Sequence, residues 1–443
     1  MTYALALLFL VCVYVRPADI FPAWEGFPFV GMLAGLSAVS VVGSLIVRPR
    51  RFCDLPHDGF VLGFFVAIVA SNAAWGWFFG AYQATLTMAP VIFGYFLLRS
   101  AVKSPAQLRG IGYTVVGLTL FLAVNGIVQF HTGFGIGDIA PVEMASFSLD
   151  AEQAPHADDS EDQSEVRRIR GAGIFNDPND LALALVIATP FLAGPLARRS
   201  TGRPGRVLAS VLLVPIMVAL YYTNSRGGIL GLGAALLPYL YRRFGKVAGP
   251  VVAVAGLAAL LLLGPSRMSA LDASESSAQD RIQSWSEGLQ MFKARPLFGV
   301  GFGRYTEFNE LVAHNSFVHT LGELGLAGAF CFVGMGYWFF QGTRRRVDLQ
   351  PEDGDRLRLR AWGDDLRQSG LGLIVCAMFL SRQYDLLPFV WLALSGCYLH
   401  VLRGITPAPA PRIVVHGTRI AAMTAGAIVC TLIVVRLFAI WQG

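Results

Sequence analysis

Residues 207–223, VLASVLLVPIMVALYYT, and residues 227–241, GGILGLGAALLPYLY, are apolar runs parted only by Asn224-Ser225-Arg226. Neither run carries a charge. Each approaches the ~20 residues that a membrane-spanning helix needs, and such helices tolerate tilt and shortening. An arginine between them sits at membrane depth or just above it. The same bias holds for the whole chain of 443 residues, of which 54% are hydrophobic and only 14% charged. A soluble chain covers its surface with roughly a quarter of charged residues. The shortage excludes a soluble multidomain protein, a disordered chain, a disulfide scaffold and a coiled coil. It predicts an all-α polytopic membrane protein.

Further runs at 3–15, 27–47, 59–75, 84–98, 111–130, 178–194, 247–264, 316–341, 369–380, 386–402 and 418–440 bring the expected number of spans to 12–14. The first run lacks basic residues before it and a small-residue cleavage signal after it, so it reads as a retained helix rather than a signal peptide. Apolar residues go all round each run, so periodicity does not say which face meets lipid. Lys and Arg give the orientation. With the N-terminus inside, the inner loops hold Arg48, Arg50, Arg51, then Arg99, Lys103, Arg109, then Arg198, Arg199, Arg203, Arg206, and then Arg242, Arg243, Lys246. Seven arginines from Arg344 to Arg367 and the set Arg403, Arg412, Arg419 follow, so most of the 35 basic residues lie inside. The net charge of +6 is therefore a record of topology. It is not a nucleic-acid signal.

This map divides one integral unit into N-terminal transmembrane helices (1–130), an acidic outer loop (131–177), central helices (178–264), an outer cap loop (265–315) and C-terminal helices (316–443). The acidic loop, with Asp158, Asp159, Glu161, Asp162 and Glu165, reads as solvated and disordered. The cap places Trp285, Met291, Phe292, Leu297 and Phe298 at helical spacing, ahead of Gly299-Val-Gly301-Phe-Gly303. It reads as a helix on the outer membrane surface. The glycine pattern follows no strand of a βαβ unit, so it does not signal a nucleotide. All six cysteines read as small apolar residues, since no pair has metal-ligand or redox spacing.

Polar groups gather at helix ends on the outer side. Arg226 offers a planar, permanently charged fork suited to phosphate. In Phe175-Asn176-Asp177-Pro178-Asn179-Asp180, Asp177 is a natural helix N-cap, with Pro178 and Asp180 at the first and third helical positions. Asn176 and Asn179 suit sugar hydroxyls, and two carboxylates alone make a weak metal site. His314-Asn315 opens the next outer-facing helix, and histidine is the side chain suited to moving a proton near neutral pH. Glu323 follows His319 by one turn, which makes them natural partners for an ionisable pair within the membrane. Arg281, in the cap, and Arg382, with Asp385 nearby, add cations to the same side. Together these groups suit an anionic diphosphate with a carbohydrate attached.

At these residues the sequence resembles the O-antigen ligase and polysaccharide polymerase superfamily of bacterial inner membranes. Arg226-Gly-Gly-Ile-Leu230 is similar to the ligases' R-x3-L pattern. His314-Asn315, nine residues, then Gly325-Leu-Ala-Gly328 is similar to their H-[NSQ]-x9-G-x-x-[GTY] pattern. Arg281-Ile-Gln-Ser-Trp285 and Pro296-Leu-Phe-Gly-Val-Gly-Phe-Gly303 look like the family's outer cap. The resemblance covers roughly 170–345.

The resemblance implies a GT-C-like fold with a helical periplasmic cap. It also implies metal-independent, inverting glycosyl transfer at the periplasmic face, without a cofactor. The donor would be a glycan on undecaprenyl diphosphate. The acceptor would be lipid A-core for a ligase, or a second lipid-linked glycan for an O-antigen or exopolysaccharide polymerase. Arg226 and Arg281 would bind the diphosphate, with Asn315, Asn176, Asn179 and Arg382 as further substrate contacts. His314 would be the catalytic base, supported by His319, Glu323, Asp177, Asp180 and Asp385. A secondary transporter or flippase is the more remote alternative. Transporters place polar groups near the bilayer midplane, often in repeated halves.

Overall fold

The computed structural model describes residues 2–17, 21, 24, 29–47, 54–137, 139–144, 166–262, 276–344, 354–405 and 416–442. Among them run the helices α1 (Thr2–Val15), α2 (Phe29–Val47), α3 (Pro56–Ala73), α4 (Phe78–Ala101), α5 (Pro105–Thr132), α6 (Pro178–Ala197) and α7 (Arg203–Tyr222). They continue with α8 (Arg226–Leu262), α9 (Ser276–Ala294), α10 (Ser316–Arg344), α11 (Gly354–Ala377), α12 (Leu386–Ile405) and α13 (Gly417–Gln442). The described strands, β1 (Val142–Met144) and β2 (Val166–Arg168), pair antiparallel with Glu143 opposite Arg167. The protein is an all-α polytopic membrane protein.

Every apolar run of the sequence falls on a helix, and the runs at 227–241 and 247–264 share α8, which breaks at Gly245 (φ 88°). Seven described helices are long and apolar enough to cross a membrane: α4, α5, α6, α7, α10, α12 and α13. The others fall short for visible reasons. Helix α1 is brief, and α3 carries His57, Asp58, Ser71 and Asn72, all buried against protein. Helix α11 starts at Gly354, so Arg356, Arg358, Arg360 and Arg367 lie on a helix and not in the expected inner loop. The apolar run at 369–380 marks only its second half; polar residues hid the first half, yet Leu359, Asp365, Leu366, Gln368 and Ser369 are all buried. Arg99 is likewise no loop cation. It ends α4 buried against Asp58 of α3 (Nε to Oδ1 3.1 Å), and Tyr95 donates to the same oxygen at 2.8 Å.

The chain forms two compact units, one of residues 1–10, 28–114 and 272–443, the other of 11–27 and 115–271. In the first, α10 is the central element, with α3, α9, α11, α12 and α13 packed on it. Helix α9 is the expected cap helix, but its apolar face meets protein and not the membrane surface. Trp285 and Met291 pack with Val300, Tyr305, Ala313 and Val318, while Leu289 and Phe292 pack with Phe317, Leu321 and Ala329. Leu297 and Phe298 lie beyond its end at Ala294, because Pro296 disfavours helical backbone just before it.

Helix α10 is broken at Gly325 (φ 61°, ψ −154°). The break frees the carbonyls of Gly322 and Glu323 and the N–H groups of Leu326 and Ala327. Such buried backbone groups must find other partners. The segment 296–301 supplies all four: Val300 N donates to Gly322 O (3.0 Å), Gly301 N to Glu323 O (3.0 Å), Leu326 N to Pro296 O (2.8 Å) and Ala327 N to Leu297 O (3.1 Å). So close an approach admits no side chain. A Cβ on Gly299 would lie 2.3 Å from Glu323 C, and one on Gly325 2.6 Å from Pro296 O.

The second unit packs α6 against α7 and α8. The flanks of the loop 131–177 are ordered, contrary to the solvated reading. Ile169 N donates to Tyr222 O at 3.2 Å, and Phe130 stacks on Tyr222 with centroids 3.9 Å apart. The acidic stretch 145–165 lies outside the described residues. Of the cysteines, Cys12, Cys376 and Cys397 are buried and Cys331 partly so. Cys430 is exposed, against expectation, because α13 presents most of its apolar surface outward. Cys53 lies outside the described residues.

The break fixes a stability prediction. Gly325→Ala should cost about 2 kcal/mol or more, from strain at a glycine-only conformation and the clash with Pro296. It should lower the unfolding temperature in detergent. Gly336→Ala, in open space on the same helix, should not. Equal behaviour of the two variants would contradict this account of the break.

Candidate functional site

In the first unit the His314 motif is held from both sides. Trp285 of α9 donates its indole N–H to Ala313 O at 2.8 Å, which anchors the residue just before His314. Asn315 caps α10, its Oδ1 accepting from Phe317 N (3.0 Å) and Val318 N (3.2 Å). Between these anchors His314 takes a left-handed backbone (φ 46°) and is half-buried. Positive φ is uncommon outside glycine, and such strain persists where surrounding bonds enforce it.

The link between α11 and α12 is fastened to the same helix start. Ser316 Oγ donates to Leu380 O (2.6 Å) and accepts from Arg382 N (3.1 Å). This brings the Arg382 backbone beside the His314–Ser316 turn. The Arg382 Nε lies 3.4 Å from Asp385 Oδ2, as an i,i+3 pair that is about one-third exposed. Burial pushes the Asp385 carboxyl above its ordinary range, with Arg382 pulling against it.

Two turns into α10, Glu323 is buried and collects three donors. Tyr305 N (2.9 Å) and His319 Nε2 (3.2 Å) meet Oε1, and Tyr384 OH (2.9 Å) meets Oε2. Burial, reinforced by the negative charge of Glu323, pushes both tyrosine hydroxyls well up, so each stays a donor. Tyr305 OH in turn donates to Ser284 O of α9 at 2.5 Å. Glu323 thus ties the cap loop, α10 and the 380–385 link at one point. Arg281 lies on α9, one turn before Ser284, and is half-buried.

The second unit holds the other sequence-derived residues. Asp177 N-caps α6, accepting from Asn179 N at 2.7 Å, with Pro178 at the first position and Asp180 buried at the third. Asn179 Oδ1 accepts from Ser225 Oγ (2.8 Å) and from Arg168 Nη2 (3.2 Å). Its carbonyl is therefore committed to the Asn224–Arg226 turn, which leaves the amide nitrogen to donate. Ser225 Oγ also accepts from Gly228 N at 3.1 Å, capping α8, and Asn224 before it is left-handed (φ 51°). Arg226 is the first residue of that helix and half-buried, while Asn176 is exposed.

Sequence reasoning passed over Tyr305, Tyr384 and Arg168. Neither tyrosine has a periodic or motif signal. Arg168 sits at the end of a loop read as disordered, yet it is buried and its Nε donates to Thr223 O at 2.8 Å. Arg295 and Arg304 were also passed over. Their guanidinium carbons lie 4.2 and 5.0 Å from the Trp75 ring centroid, and Trp75 donates to Gly299 O at 3.2 Å.

Residues 208–333 match the family model described as O-antigen ligase. The match runs from α7 into α10 and takes in Arg226, the cap, His314 and the Gly325 break. A comparison with curated proteins gives no match. The matched stretch holds His314, Asn315, His319 and Glu323, whereas Asn176–Asp180 and Arg382–Asp385 lie outside it.

Glu323→Gln replaces the charged acceptor with a neutral amide, whose nitrogen must face either the Tyr384 hydroxyl, which then has to accept, or the two donors now on Oε1. The expected loss is about 1–3 kcal/mol of stability, read as a lower unfolding temperature. Wild-type stability in this variant would remove Glu323 as the common tie.

Proposed function

We propose that the protein transfers a glycan from undecaprenyl diphosphate to an acceptor hydroxyl at the periplasmic face of the inner membrane, with lipid A-core as the acceptor. The O-antigen ligase family match supports transfer of the ligase or polymerase type. The observation that carries the finer reading is His314, half-buried and left-handed between an indole-anchored Ala313 and a capped helix start. A histidine so placed can take the proton of a hydroxyl as that oxygen attacks the anomeric carbon. The bond from that carbon to the diphosphate oxygen then breaks, and the stereocentre inverts.

The electron pair leaves with undecaprenyl diphosphate. The reading assigns Arg226 and Arg281 to that developing charge, since guanidinium groups stabilise leaving phosphates without reorganising. Arg382, Asn315, Asn176 and Asn179 are assigned to the substrate, and no metal takes part. A second reading is a repeat-unit polymerase, in which the acceptor is another lipid-linked glycan. The ordering of Asn179 beside the Arg226 helix, outside the stretch that matches the ligase family, favours keeping it.

His314→Ala should lower kcat by about 100-fold or more, the usual cost of a lost general base, with membrane insertion intact. Arg226→Ala should behave similarly. Arg281→Lys should stay impaired by about tenfold, since lysine cannot make the bidentate contact. EDTA should leave the rate unchanged. Full activity of the His314 or Arg226 variant in a lipid-diphosphate glycan assay would refute the assigned roles, and a strict Mg²⁺ requirement would refute the metal-free step.

A further inference from the structure

The three donors on Glu323 also set the tautomer of a neutral His319 ring. Oε1 already accepts from the Tyr305 backbone N–H, and Oε2 from the Tyr384 hydroxyl. A carboxylate so engaged only accepts, so the third contact, His319 Nε2 at 3.2 Å from Oε1, has the proton on the histidine. In the neutral ring the other nitrogen, Nδ1, is then a bare lone pair, in the way that a carboxylate behind a histidine sets the tautomer of the nitrogen in front. Nδ1 is buried, and no described residue partners it. The ring is held in place, with Tyr305 and Tyr384 centroids at 4.7 and 5.9 Å.

His319 is not the only group in this state. Ser381 Oγ has no partner among the described residues, and Gln383, 1% exposed, donates to the Tyr384 hydroxyl while its Oε1 is left without a partner. Both residues belong to the link that Ser316 and Glu323 fasten to the first turns of α10. Buried polar atoms left unpaired are costly, and native structures rarely keep several on packed elements without use for them. Here they comprise a ring acceptor, an amide oxygen and a hydroxyl.

We propose that His319 Nδ1, with Gln383 and Ser381, forms a subsite that reads hydroxyl groups of a carbohydrate, with Glu323 and Tyr384 as the positioning residues behind it. The chemistry selects among ligands. A lone pair backed by a carboxylate repels phosphate oxygens, so this subsite takes the neutral, hydroxylated part of a substrate and not the diphosphate. Vicinal hydroxyls donate to Nδ1 and to the Gln383 amide oxygen. Such hydroxyls belong to the donor glycan and to the acceptor glycan alike, and kinetics separates the two. The subsite rests on the glycan-transfer reading and adds to it a residue that recognises the sugar.

Two variants divide the imidazole. His319→Asn keeps a hydrogen-bonding amide at the position of Nδ1 and gives up the Glu323 tie. His319→Gln keeps a donor to Glu323 at the position of Nε2 and gives up Nδ1. Transfer by the full-length protein in proteoliposomes is measured with each substrate varied in turn, alongside the unfolding temperature of each variant. We expect His319→Gln to raise KM at least tenfold for the substrate whose hydroxyl is read, with a smaller change in kcat. His319→Asn should recover most of that KM increase relative to His319→Gln. The KM that moves, for donor or for acceptor, names the source of the hydroxyl. Wild-type KM values for both substrates in His319→Gln, or an Asn variant as impaired as the Gln variant, would overturn the subsite while leaving glycan transfer standing. Absence of transfer by the wild-type protein would instead overturn the reading on which the subsite rests.

Discussion

The four backbone hydrogen bonds between Pro296–Gly301 and the break in α10 hold the first unit's functional elements in register. A helix that crosses a membrane ordinarily satisfies its own backbone, and a break is tolerated only where protein re-satisfies the freed groups. Here the cap loop does so, and two glycines make the approach possible. The consequence is geometric. The cap loop cannot drift from α10 without exposing four buried backbone groups, so Tyr305, Ala313 and His314 inherit a fixed position relative to Glu323 and the helix start. The glycines of the histidine motif thus have a physical reason: Gly325 is the break itself.

A second layer of ties works through side chains. Glu323 gathers donors from the cap loop, from α10 and from the α11–α12 link, while Ser316 holds that link by its backbone. In the second unit Asn179 plays a comparable part, holding Ser225 and Arg168 and so setting the turn from which α8 starts with Arg226. In each unit a short polar residue caps a helix beside a left-handed residue, Asn315 after His314 and Ser225 after Asn224. Helix N-termini favour negative charge. Both sequence motifs lie at such termini.

Much of this was legible in the sequence because membrane insertion writes itself in composition. Apolar runs located the spanning helices, but the run at 369–380 found only the second half of α11, because arginines and buried amides suppress hydropathy in the first half. The N-cap at Asp177 and the i,i+4 pairing of His319 with Glu323 follow from local spacing alone, and the structure has both. What spacing could not reveal was long-range. Tyr305 and Tyr384 reach Glu323 from 18 and 61 residues away. No periodicity encodes such a contact. The cap helix was placed on the membrane surface because its amphipathic pattern does not say whether lipid or protein covers the apolar face. Arg168 was lost in a loop whose acidic middle dominated its reading.

The central claim is transfer of a lipid-diphosphate glycan to an acceptor hydroxyl. Its most direct measurement is reconstitution of the purified protein in proteoliposomes with an undecaprenyl-diphosphate glycan, offering lipid A-core and a second lipid-linked glycan separately. The account predicts that the glycan appears on lipid A-core, with release of undecaprenyl diphosphate and no requirement for metal. Glycan appearing only on the second lipid-linked unit would replace the ligase with a polymerase. Transfer to neither acceptor would contradict the account.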